Sequence, residues 1–100
     1  MYEITYINPR MNDKLQWIKP DRKQVLEIVR ALIRIFDDEG SLIIHSFNTE
    51  RYWIHSYLSD REFDVHKHAN GGYSTIFGNS YKTIDGALNK LDKLAATDRH

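Results

Sequence analysis

Four of the five histidines in this 100-residue chain, His45, His55, His66 and His68, fall between residues 45 and 68. Two of them sit in near-copies of one another, IIHSF at 43–47 and WIHSY at 53–57. Neutral imidazoles at such spacing can ligate a divalent ion, or they can act as polar handles among the rings of a binding face. For a metal, His45, His55 and His66 would have to converge from adjacent strands, with Asp64 orienting one of them. Directly opposed Cβ atoms stand about 5 Å apart, so His45 and His66, two strands apart, would be about 10 Å apart. Only His66 and His68, in "HKH", have the i, i+2 spacing that puts two ligands on one side of a strand. A metal site is therefore the weakest reading of these residues, and neither a metal nor a cofactor is expected.

Nucleophilic chemistry fares no better. Ser46 and Ser56 each follow a histidine directly, and on a strand consecutive side chains point to opposite faces, so neither serine can be activated by that neighbour. The chain has no phosphate loop, Gly-x-Ser-x-Gly elbow, His-Glu-x-x-His pair or dinucleotide-type glycine pattern. Asp37, Asp38 and Glu39 form an acidic knot at the end of an amphipathic stretch, where the macrodipole favours cations. Consecutive acids on a helix diverge too far to chelate Mg²⁺ well. They read as a solvated end or as an acidic knob for a basic partner.

These residues are positioned by a simple set of elements. "YEITYIN" alternates as a strand, with Tyr2, Ile4 and Tyr6 on one side, and a loop, "PRMNDKLQWIKP", comes next, pinned by Trp17 and Ile18. "DRKQVLEIVRALIRIFDDEG" predicts a largely buried helix, with Asp21 as cap, Gln24 completing a capping box and Gly40 as a left-handed stop. A second helix, "TIDGALNKLDKLAA", starts at a Thr83 cap and buries Ile84, Ala87, Leu88, Leu91 and Leu94. Between the helices, the turn signals "NTER", "SDRE" and "NGG" divide residues 41–78 into four short strands. The expectation is one α+β domain over residues 1–100, with two helices on one face of an antiparallel sheet of four to five strands in the order β-α-β-β-β-β-α.

Register decides what each face carries, because a one-residue slip exchanges the faces. A turn at Asn70-Gly71 pairs His68 with Tyr73 and His66 with Thr75. A turn at Asp60-Arg61 pairs Tyr57 with Asp64 and His55 with His66, and a loop over 48–52 sets Phe47 opposite Trp53 and His45 opposite His55. The helix side then holds Leu42, Ile44, Ile54, Leu58, Phe63, Val65 and Ile76. The other side holds His45, Phe47, Trp53, His55, Tyr57, His66, His68, Tyr73 and Phe77, with the three histidines in a row across neighbouring strands.

Composition narrows what such a face could serve. Formal net charge is zero, which excludes a strongly basic nucleic-acid binder and an acidic mimic of one. The absence of cysteine removes disulfides and thiolate zinc sites and suits a reducing compartment. "MYEITYINPR" has no basic segment followed by an apolar run, and no stretch approaches the ~20 apolar residues of a membrane span, so no membrane association is expected and the cytoplasm is the expected location. The helix, strand and helix order resembles a double-stranded RNA binding domain, but "SYKTIDGALNKLDKLAA" lacks the Lys-Lys pair that opens that family's last helix.

The ring-bearing face admits three readings. The chain's own first twenty residues, or a second copy, could cover it; a partner could dock on it; or the histidines could do chemistry. The leading expectation is a non-enzymatic protein-interaction module, an inhibitor or adaptor of the kind small phage and mobile-element proteins provide. Its contacts are His45, Phe47, Trp53, His55, Tyr57, His66, His68, Tyr73 and Phe77, with Asp37, Asp38 and Glu39 as an acidic adjunct. Nucleic-acid binding by the aromatic sheet is the second expectation, and a homodimer through the same face is the third.

Overall fold

The structure, a computed structural model, describes residues 1–18, 20–69 and 71–97. Strand β1 (Tyr2–Ile7) buries Tyr2, Ile4 and Tyr6 and turns Glu3 and Thr5 the other way, as its alternation predicts. The segment between the two prolines is not only a loop. It returns as β2 (Leu15–Ile18), antiparallel to β1, with Ile4 opposite Trp17 and Tyr6 opposite Leu15. Trp17 packs against the core as expected, whereas Ile18 lies on the other face and is 63% exposed.

Helix α1 (Arg22–Ile35) begins at the expected capping box: the Asp21 carboxylate accepts from the Gln24 N–H at 2.9 Å, and the Gln24 side chain accepts from the Asp21 N–H at 2.8 Å. Asp21→Ala removes both the acceptor and the reciprocal geometry. It should cost about 1 kcal/mol in urea unfolding, while Asp21→Asn keeps most of the stability. Val25, Val29 and Leu32 form the buried stripe and Ile35 is 66% exposed, so the helix is buried along one side and not largely throughout. It also stops before Gly40. The chain leaves the helix at Phe36 and turns through Asp37 and Asp38 at φ 52° and 62°, so Gly40 serves the next turn and not the helix end.

Strands β3 (Ser41–Ser46), β4 (Tyr52–Tyr57), β5 (Asp64–His68) and β6 (Ser74–Ile76) form the expected meander. With β1 and β2 they make one antiparallel sheet of six strands, in the order β2-β1-β3-β4-β5-β6. The α+β class is as read from the sequence, and the sheet is one strand wider than its upper estimate. Helix α2 (Ile84–Thr97) starts where the Thr83 hydroxyl accepts from the Gly86 N–H at 3.2 Å. Gly86 admits the Tyr81 ring, which would lie 3.1 Å from a Cβ at that position.

Both helices lie against the same side of the sheet, α1 over β1 and α2 over β3, β4 and β5. Between the layers Ile4, Leu42, Ile44, Ile54 and Val65 from the strands meet Val25, Val29, Leu88 and Leu91 from the helices, all but fully buried. Each such side chain contributes about 1.5–3 kcal/mol of burial, which is what holds the layers together. A polar clasp closes one end: the Tyr2 hydroxyl donates to Asp92 at 2.7 Å, and Arg22 reaches the other Asp92 oxygen at 2.9 Å. Among the described residues no helix is long and apolar enough to cross a membrane.

Candidate binding face

The side of the sheet away from the helices is set by the observed registers. One row runs Ile18–Glu3–His45–Trp53–His66–Ile76 across all six strands. The next runs Gln16–Thr5–Ile43–His55–Asp64, and beyond it lies Ile7–Ser41–Tyr57. Strands β1 and β2 therefore widen this face instead of roofing it. The burial of alternate residues in β1, β3 and β4 shows the aliphatic positions under the helices, with the imidazoles and rings of the sheet's middle turned away from them.

The pairing differs from expectation in ways that have local causes. His45 lies opposite Trp53, and His55 opposite Asp64, each two residues from the expected partner. The connection over 47–51 and a 3-10 turn (Leu58–Asp60), with Arg61 after it at φ 54°, set these pairings, where a tight Asp60-Arg61 turn was expected. A slip of two preserves the faces, but the straight row of His45, His55 and His66 is not formed. Trp53 takes its centre, and His55 stands in the adjacent row.

At β6 the slip is one residue, and there the faces exchange. Lys67 pairs with Thr75 and His66 with Ile76, which puts Ile76 on the open side, 53% exposed. Phe77 turns inward: its ring meets buried Tyr52 edge-on at 5.4 Å, under the ammonium groups of Lys67 and Lys90. Phe77 is thus removed from the binding face, and Ile76 from the core. Asn70 of the expected turn lies outside the described residues. Tyr73 is 75% exposed but precedes the strand, and Phe47, 48% exposed, sits in the 47–51 connection.

What remains together is a cluster around one indole. Trp53 stacks on His66 with centroids 5.5 Å apart, leans on His68 at 4.2 Å and lies 6.3 Å from His45. His55 meets His66 at 5.8 Å and Tyr57 at 4.6 Å, both edge-on. Neither ring nitrogen of His66 reaches solvent or a hydrogen-bond partner. Desolvation holds the His66 imidazole below the ordinary histidine value; His55 pushes the same way and Asp64 opposes it. His45 is also lowered, by desolvation and then by His68, against the pull of Glu3.

Comparison with protein-family models, with curated proteins and with solved structures returns no match. The role of the face has to be derived from its own chemistry. Among the described residues no three of His, Cys, Asp and Glu are grouped to hold a metal ion. By register the face carries Glu3 and Asp64 and, among the described strand residues, no lysine or arginine. Lys67 lies on the opposite side, over Phe77.

The acidic knot is built into a turn and does not join the rings. Asp38 is paired with Arg61 at 2.7 Å and Glu39 with Arg10 at 3.2 Å, while Asp37 is exposed. Glu3, Gln16, Ile18 and Ile76 are members of the face that the sequence pattern did not reveal. The signal for Glu3 was present, since a strand that buries Tyr2, Ile4 and Tyr6 must present Glu3 and Thr5 on the other side. What the sequence left open was which neighbour that strand takes.

Proposed function

We propose that the protein is a small interaction module that acts by binding and not by catalysis, docking a protein partner on the open face with Trp53 at its centre. The observation that carries this reading is the Trp53 cluster: an indole with three imidazoles within 6.3 Å of it and a fourth 5.8 Å from one of those, on the side of the sheet away from both helices. Tryptophan in a contiguous patch supplies large area with a polar handle, the usual make-up of an energetic centre at an interface. An accessory inhibitor or adaptor working in the cytoplasm suits a neutral chain of this size. Nucleic acid fits the face poorly, because phosphate binding needs several lysines or arginines and the rings are flanked by Glu3 and Asp64.

The test compares the wild type with Trp53→Ala/Tyr57→Ala, first by light scattering and then by capture of partners from lysate. Both side chains are off the core, so circular dichroism should show the fold retained. The expected result is a partner recovered by the wild type whose affinity for the variant is weaker by about 2 kcal/mol or more, roughly thirtyfold. Equal recovery by both proteins would place the interface elsewhere. A wild-type dimer dissociated by the double substitution would assign the face to self-association.

A further inference from the structure

Resting on the open face as the docking surface, we propose that its occupant is a cationic protein segment, with arginine or lysine set between apolar residues, held while the histidines are neutral and released when they take up protons.

The charge pattern points to that partner. Glu3 and Asp64 stand on strands either side of the rings, Glu3 opposite His45 and Asp64 opposite His55, and no cationic residue of the described strands offsets them on that side. The faces of Trp53 and Tyr57 carry the negative side of their quadrupoles, and a guanidinium or ammonium over such a ring gains about 0.5–2 kcal/mol. Ile43 and Ile76 supply apolar ground between the polar groups, and Ile76 is 53% exposed. An acidic segment or a phosphate backbone would meet two carboxylates that no lysine or arginine of the described strands offsets on that side. A second copy of the face would bring two further carboxylates and no lysine or arginine of the described strands.

The histidines make this complementarity conditional. Around His66 stand His55 and Trp53 from β4, Asp64 and His68 from its own strand, and Ile76 from β6. Around His45 stand Glu3 from β1, Trp53 from β4 and His68 from β5. With the imidazoles neutral, the carboxylates set the sign of the face. Protonating His45 and His66, which flank Trp53 and stand beside Glu3 and Asp64 respectively, would offset those carboxylates and remove the attraction for a cationic segment. Both imidazoles are held below the ordinary histidine value, so this happens on acidification below about pH 6.5.

The experiment uses the intact chain and three probes: a capped peptide alternating valine with arginine, its counterpart with glutamate for arginine, and oligo(dT). Binding is read from the Trp53 indole N–H and Tyr57 ring resonances, at about pH 7.5 and about pH 5.5. The arginine peptide should shift both rings at the higher pH and bind on the order of tenfold more weakly at the lower. Glu3→Gln/Asp64→Asn should weaken it about fivefold at the higher pH, and Glu27→Gln, on the exposed side of α1, should leave it unchanged. Preference for the glutamate peptide or oligo(dT) at the same rings would overturn the cationic partner and leave the docking face standing. No shift of either ring by any probe would remove both. Arginine-peptide binding that ignores pH, or that survives Glu3→Gln/Asp64→Asn, would overturn the proposal.

Discussion

Gly40→Ala should cost about 3 kcal/mol, a fall in Tm on the order of 15 °C for a domain of this length. Gly40 has φ +104°, where L side chains are strained, and a Cβ built there would stand 2.6 Å from Cε1 and the hydroxyl oxygen of Tyr6. The ring cannot easily yield. It is fully buried, stacks on Phe36 at 4.8 Å, donates to the Glu39 carbonyl at 2.6 Å and accepts from the Asn8 amide at 3.0 Å. Nor can the backbone, because the Gly40 carbonyl accepts from the Leu58 N–H at 3.0 Å. Gly72→Ala is the control: its φ is +85° but a Cβ there meets nothing within 4 Å, so it carries the dihedral cost alone, about 1 kcal/mol. Urea midpoints for the two variants measure the steric part as a difference. If they coincide, Tyr6 is not the obstacle that ends the α1–β3 connection.

The same corner shows what sequence can and cannot specify. Glycine after an acidic run reads as a helix stop, but the helix had already ended, and what the glycine accommodates is a tyrosine more than thirty positions away. Local signals were legible wherever the partner was local. Asp21 with Gln24 and Thr83 with Gly86 are contacts within one turn, and both formed as their spacing predicts. Alternation in β1, β3 and β4 was legible because one face is buried and the other is not.

Strand β2 was hidden because "LQWI" is too short to show a period, and its place depends on β1 for a partner. Register was legible only to the extent that turn length was. The 47–51 connection and the 3-10 turn moved pairings by two and left the chemistry of each face intact. At β6 the shift was one, and the outcome was decided by packing: "STIF" offers Ile76 or Phe77 to the core, and Phe77 has the larger ring to bury against Tyr52. The ring face was therefore readable in its centre, at His45, Trp53, His55, Tyr57, His66 and His68, and misread at the edge.

His66→Phe should raise stability at neutral pH by about 2 kcal/mol, although it alters the middle of the proposed docking face. Both imidazole nitrogens are shut off from solvent without a partner, and each such group costs on the order of 1–3 kcal/mol that an apolar ring of similar shape avoids while keeping the stack on Trp53. The pH dependence gives the second readout. The folded-state value of His66 is lowered from 6.5, so the unfolded chain binds the proton more readily. Stability is then fully present above about pH 6.5 and is lost as pH falls from there through the folded-state value. His45, lowered in the same direction, contributes its own part of that slope. His66→Phe should remove the share due to His66 and leave the share due to His45, so its urea midpoint falls less than the wild type's on acidification. A variant that is less stable at neutral pH and keeps the full slope would mean that the imidazole is satisfied in solution and does not titrate with folding. A variant that is more stable yet binds the arginine peptide with weaker pH dependence than the wild type would show that an unpaired, costly imidazole at this position contributes to the release of the partner.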